Sequence, residues 1–194
     1  MQLIDYLDQL DKQLFLFLNQ FHSPVSDAIM VFVTSRATWF PFYGIIIIYL
    51  FWKHKLHGFW PILGILLTIL LADQFSASIC KPFFERLRPC HSPEIGHLVH
   101  TTVKGCGGQY GFVSSHAANT FGLATFLFLL LKNRMKYIWL IFLWSGLVSY
   151  SRIAVGVHYP GDIFFGAWSG VACGYIAYLA FRYGVKHYKI TLFD

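Results

Sequence analysis

Three short stretches of this chain carry residues that could together manage a phosphoryl group. The first, Lys81-Pro-Phe-Phe-Glu-Arg-Leu-Arg88-Pro89, packs three cations into eight residues. Arginine offers a planar fork to phosphate oxygens and lysine a point charge. The second, Gly111-Phe-Val-Ser114-Ser115-His116-Ala-Ala-Asn119, leads into an apolar run. Serines there suit a helix N-cap, and a helix N-terminus with free N–H groups binds anions. His116 would sit in the first turn, where a cation is disfavoured until an anionic substrate restores its proton affinity. Taken alone, Ser-Ser-His reads equally as a plain cap. The third stretch runs from Ser151-Arg152 to His158-Tyr-Pro160-Gly-Asp162. Pro160 and Asp162 belong at a helix start. Asp162 is four residues after His158, so its carboxylate can reach one imidazole nitrogen and leave the other free to act, as in a catalytic His–Asp pair. A structural cap is the alternative.

The elements that must position these residues are membrane helices. Of the 194 residues 56% are hydrophobic and only 12% are charged, about half the charge of an ordinary soluble protein. That balance excludes a soluble enzyme, a disordered chain and a nucleic-acid binder with dispersed basicity. Mean hydropathy is +0.54, as expected of a chain solvated largely by lipid. Five apolar segments, roughly 39–52, 59–80, 116–131, 137–155 and 163–181, approach the ~20 residues of a spanning helix. The first could start nearer Ala28, with Pro41 then kinking it. The expected fold is all-α, a single polytopic bundle over residues 1–194 with five or six transmembrane helices. Residues 1–36 form an amphipathic N-terminal region, with Leu3, Leu7, Leu10, Leu14 and Leu18 at helical spacing against Asp5, Asp8, Asp11 and Lys12. Such a helix lies on the membrane surface or closes over the bundle as a lid. The N-terminus lacks the pattern of a cleaved signal, so the chain is read from Met1.

If the five helices alternate, Lys53, Lys55, Lys132, Arg134, Lys136, Arg182, Lys186 and Lys189 share one side with Asp194, a net +7, while the other side holds −1. The positive-inside rule makes the first side cytoplasmic. The 35-residue connection 81–115 is then extracytoplasmic, where its cations cannot be explained as inside-facing anchors. Lys81, Arg88, Ser114, Ser115, His116, Arg152, His158 and Asp162 all fall at that same face, two helix starts and several cations around two imidazoles.

These three stretches, in this order and spacing, resemble the signature of the type 2 phosphatidic acid phosphatase (PAP2) family of membrane lipid phosphatases. The first and third match fully. The middle one departs from the family's Pro-Ser-Gly-His, with Val113 at the Pro and Ser115 at the Gly, a change bearing on loop shape and substrate choice. The resemblance implies that His158 is a nucleophile forming a phosphohistidine, that Asp162 orients it and that His116 is the general acid. Lys81, Arg88, Arg152, Ser114, Ser115 and nearby N–H groups would hold the phosphate. It implies no metal and no cofactor, a membrane lipid phosphate as partner and no nucleic acid. Size and resemblance together imply a bacterial inner membrane, with the site facing the periplasm. Undecaprenyl diphosphate is the favoured substrate; lipid A and phosphatidylglycerophosphate are the alternatives. A catalytically idle lipid-binding relative and a lipid phosphotransferase share the same motifs.

Cys90 and Cys106 bracket the middle of the outer loop and outside the cytoplasm are expected to be disulfide-bonded. His91, His97 and His100 lie between them, leaving zinc as an alternative of unfamiliar spacing. Asp73, eight residues or about 12 Å below Lys81, is expected to fix helix packing and not to reach the phosphate.

Overall fold

The computed structural model describes residues 2–102 and 106–190. Helix α1 spans Gln2–Asn19 and α2 spans Pro24–Thr34, opened by a capping box in which Ser23 and Ser26 satisfy each other's backbone N–H groups. After a 3-10 turn at Ala37–Trp39 comes α3, Phe40–His54, and then α4, Phe59–Asp73. Lys55, at φ 49°, breaks the path between them. Helix α4 runs on through a π-helical stretch, Gln74–Cys80, into the single turn of α5, Lys81–Phe84. The outer loop follows, then α6, Ser115–Leu131, α7, Leu140–Ala154, and α8, Pro160–His187. No strand occurs among the described residues, only an isolated antiparallel bridge between Leu87 and Tyr110.

Among the described residues, two stretches are long and apolar enough to cross a bilayer by length and composition, Ala37–Phe84 and Pro160–His187. Of the five expected spans, α6 with 17 residues and α7 with 15 stop short of the ~20 that a full crossing takes, so length alone does not yield five or six. The first span does not begin near Ala28. Arg36 and its neighbours separate α2 from α3, and Pro41 lies in the first turn of α3, where its missing N–H costs nothing.

Helices α6 and α8 form the centre. Leu123, Ala124, Phe126 and Leu127 are buried against Ala177 and Phe181. The outer faces of α3, α4 and α8 are greasy: Ile48 is 69% exposed, Leu66 59% and Trp168 64%, a surface suited to lipid. Helix α1 inverts the simple amphipathic expectation. Its Leu3, Leu7, Leu10 and Leu14 are exposed, while Asp8, Asp11, Lys12 and the fully buried Phe15 face the protein. It therefore closes over the outer loop as a lid with those four leucines outward, while Leu16 and Leu18 pack beside Phe15.

Candidate active site

The π-helical stretch before Lys81 winds more widely than an α-helix. It is followed by Lys81, whose Nζ donates to Ser115 Oγ at 2.9 Å across the gap to α6. Ser76 Oγ meets the same hydroxyl at 2.9 Å. The outer loop is zipped by Arg88 N donating to Gln109 O (3.1 Å) and Gly111 N donating to Arg86 O (2.8 Å). The Cys90–Cys106 disulfide closes it further. At the end of α7, Gly156 takes φ 82°, a conformation only glycine adopts freely, and Val157 N returns to Arg152 O at 3.1 Å. That tight reversal carries the chain from Arg152 to His158. Pro160 then starts α8, and Asp162 caps it by accepting from Tyr159 N at 3.0 Å.

These elements meet around a cavity of about 460 Å³ lined by Lys81, Arg88, Arg152, His116, His158 and Arg36. His158 is 2% exposed and its Nδ1 lies 3.3 Å from Asp162 Oδ2, which fixes the ring and leaves Nε2 for chemistry. Burial, and after it the charges of Arg152, Arg88 and Lys81, hold the His158 imidazole well below its ordinary pKa. The neutral imidazole is thus favoured, the form in which a histidine nitrogen can act as a nucleophile. His116 faces the same cavity from the first turn of α6 and hydrogen-bonds the Thr34 backbone. Arg152 Nη1 donates to Thr34 Oγ1 at 2.6 Å, and its buried Nε has no partner among the described residues. Arg88 Nε donates to Tyr110 O at 3.3 Å. Cys106 and Gly107 form part of the cavity wall, so the disulfide anchors the lining itself.

Ser115 lines the cavity, whereas Ser114 lies behind it. Ser114 N is committed to Asp162 O at 3.0 Å, and its fully buried hydroxyl has no partner among the described residues. Asp73 does not stay remote from the site. It lines this cavity and accepts a long 3.5 Å hydrogen bond from Asn119 Nδ2, tying α4 to α6.

Arg36 and Thr34, from the α2–α3 connection, belong to no spacing pattern that sequence reasoning could use. Arg36, Asp73, Ser115 and His116 also line a second, apolar cavity of about 690 Å³, whose walls include Tyr43, Ile47, Ile69 and Trp144. A polar pocket rich in cations thus opens into a greasy groove between α3, α4, α6 and α7. At the opposite end of the bundle, Arg134, Arg182, Lys186 and Lys189 surround a separate cavity.

Of the bracketed histidines, His91 and His100 take separate partners. His91 Nε2 meets Gly107 O at 3.3 Å, while His100 Nε2 pairs with Asp27 Oδ2 at 2.9 Å and its ring stacks on His22. Potential ligand atoms of His22, Asp27 and His100 lie within 4.8 Å of one another. The two rings are 7° from parallel at 3.7 Å, so their in-plane lone pairs do not converge on one ion.

Comparison with known proteins agrees with the geometry. Residues 62–186 match the PAP2 superfamily. Lipid A 4'-phosphatase of Bacteroides thetaiotaomicron is 41% identical over 91% of this chain and 79% of its own length. Undecaprenyl-diphosphatase BcrC of Bacillus subtilis is 32% identical over 84% of this chain and 77% of its own. The crystal structure of Aquifex aeolicus LpxE superposes with a TM-score of 0.62 at 29% identity, covering 85% of this chain and 92% of that one.

Proposed function

The chain belongs to the PAP2 superfamily, and from that premise we propose that it is a membrane lipid phosphatase that removes the 4'-phosphate of lipid A. The observation that carries the reading is one cavity where a buried His158–Asp162 pair, His116 and four cations converge beside an apolar groove. The polar pocket suits the phosphate and the groove suits the lipid's apolar part.

His158 Nε2 attacks phosphorus, forming an N–P bond as the ester P–O bond breaks. The departing oxygen takes its proton from His116. Lys81, Arg88, Arg152 and Arg36 stabilise the charge on the non-bridging oxygens. Water, yielding its proton to His116, then attacks the phosphohistidine and releases inorganic phosphate with His158 restored.

Undecaprenyl diphosphate, favoured from sequence alone, gives way to lipid A because the lipid A 4'-phosphatase relative is the more similar, 41% against 32% identity, and over more of the chain. In this reading the site faces the periplasm of a bacterial inner membrane, an orientation supported by the cations Arg134, Arg182, Lys186 and Lys189 at the opposite end under the positive-inside rule.

The test is phosphate release by purified protein from lipid A, undecaprenyl diphosphate and phosphatidylglycerophosphate in one detergent. Lipid A is expected to give the highest kcat/KM. A higher value for undecaprenyl diphosphate would overturn the substrate assignment. Phosphate release by His158→Ala at the parent rate would overturn the mechanism. Radiolabelled phosphate reappearing on lipid would make the protein a phosphotransferase.

A further inference from the structure

Arg86 lies between the two cations of the first motif but does not line the phosphate cavity. Its guanidinium instead joins α1 to the His158–Asp162 pair. Arg86 Nη1 donates to Asp162 Oδ1 at 2.9 Å. Arg86 Nη2 lies 2.9 Å from Asp8 Oδ1 and 2.8 Å from Asp11 Oδ2, both on α1. The same guanidinium stacks 4.2 Å from the centre of the buried Tyr159 ring, next to His158. Asp11 also accepts the Gly161 N–H at 2.8 Å, so α1 grips the start of α8 directly.

Asp162 thereby has separate partners on its two oxygens. Oδ2 serves His158 Nδ1 and Tyr159 N, while Oδ1 is held by Arg86. A buried carboxylate with one oxygen unpaired is costly and would swing or take up a proton to relieve that cost. Either response would release the imidazole it orients. Arg86 in turn is fixed by the carboxylates of α1, with Lys12 bridging Asp8 to Glu94 of the outer loop at 2.7 Å to each.

We propose that Arg86 is a positioning residue of the catalytic site and that α1 is its anchor, so that docking of the N-terminal helix sets the orientation of the His158–Asp162 pair. The proposal rests on the phosphatase reading above. It assigns a role in the reaction to a helix that otherwise looks like a membrane-surface element. Because Arg86 touches the orienting carboxylate and not the phosphate cavity, it acts on turnover and leaves substrate affinity alone.

The experiment measures kcat and KM for phosphate release from lipid A in detergent micelles. Arg86→Gln is expected to lower kcat roughly 10- to 100-fold with KM within about twofold, whereas Arg88→Gln, inside the cavity, raises KM. Asp8→Asn with Asp11→Asn leaves the arginine in place but frees it, and is expected to lower kcat by roughly tenfold. Asp5→Asn, on the same helix and away from the network, leaves both constants unchanged. Arg86→Lys restores only part of the loss, because an ammonium cannot bridge Asp162 and α1 as a fork does. In an Asp162→Asn background, Arg86→Gln is expected to cost less than about twofold, since its effect passes through that carboxylate. An equal cost in both backgrounds would overturn the proposal, as would parent-like kcat in the Asp8→Asn, Asp11→Asn protein, which is also the decisive variant should Arg86→Gln not fold. Parent-rate release by His158→Ala overturns the phosphatase reading instead, and so the two failures are distinct.

Discussion

Gly166 sits one turn along α8 from Asp162, where that helix presses on the start of α6. A Cβ added there would lie 2.7 Å from Ser114 O, 3.1 Å from Ala117 Cβ and 3.3 Å from Ser114 N. A carbon and a carbonyl oxygen settle no closer than about 3.3 Å, so Gly166→Ala pushes α8 off α6 by roughly 0.6 Å. The Ser114 N–H bond to Asp162 O, now 3.0 Å, then stretches to about 3.6 Å, beyond a useful hydrogen bond. Overpacking of this kind costs about 1–3 kcal/mol, partly offset by the ~1 kcal/mol that alanine gains over glycine in a helix. Net stability thus falls by no more than about 2 kcal/mol. The effect on rate is larger, because Asp162 rides on α8 and His158 leads directly into it, while His116 rides on α6. If a 1 Å misplacement costs about 100-fold, 0.6 Å costs on the order of tenfold in kcat. Gly184→Ala, on the same helix, provides the contrast. Nothing lies within 4 Å of a Cβ there, so it is expected to stabilise by about 0.5–1 kcal/mol and leave kcat unchanged. Phosphate release and thermal unfolding are read on both proteins in one detergent. The reasoning fails if Gly166→Ala keeps kcat within about twofold of the parent, or if Gly184→Ala loses as much.

Reducing the Cys90–Cys106 disulfide, or replacing Cys106 by Ser, should loosen the wall beside Arg88 and raise KM more than it lowers kcat, as steady-state assays with and without reductant will show. The depressed pKa of His158 carries a sign for stability. Below pH ~6.5 the unfolded chain binds a proton that the folded chain refuses, so this group weakens the fold as pH falls below that value. The same shift puts the acid limb due to His158 in kcat/KM well below pH 6.5; an acid limb at the ordinary histidine value would contradict it. Asn19→Leu should cost about 1–3 kcal/mol by thermal unfolding, since the buried Asn19 amide accepts from His100 N (2.8 Å) and donates to His100 O (3.1 Å) and toward the carbonyls of Ile153 and Ala154, of which Ile153 O keeps the Gly156 N–H. For orientation, Glu94→Cys is expected to react with an impermeant thiol reagent on intact spheroplasts and Asn133→Cys is not; the opposite result would reverse the topology.

Much of the site was readable from the chain because its chemistry is local. His158 and Asp162 are four residues apart at a helix start, so one turn of backbone delivers the carboxylate to the imidazole. The shortage of charge implied a membrane bundle, and the gathering of cations at chain positions on one side implied two different ends, because burying an unpaired charge in lipid is prohibitively costly. The pairing of Cys90 with Cys106 followed from compartment.

What depended on distant contacts was not readable. Arg36 reaches the cavity from a connection 45 residues before Lys81, and no period links them. That Asp73, which bonds Asn119 of α6, would also line the cavity was not readable from its spacing to Lys81. The leucines of α1 were recognised as a face, but not that the opposite, acidic face would be the one packed on protein; that depended on Arg86 standing beside Asp162 on another part of the chain. The sequence by itself determined which groups could do the chemistry and on which side of the bundle they lie, because helix period and charge distribution are local properties. Only the tertiary structure decided how closely α8 approaches α6, what holds Asp162 in place and where the greasy groove meets the phosphate pocket, because those are set by side chains that meet only once the helices pack.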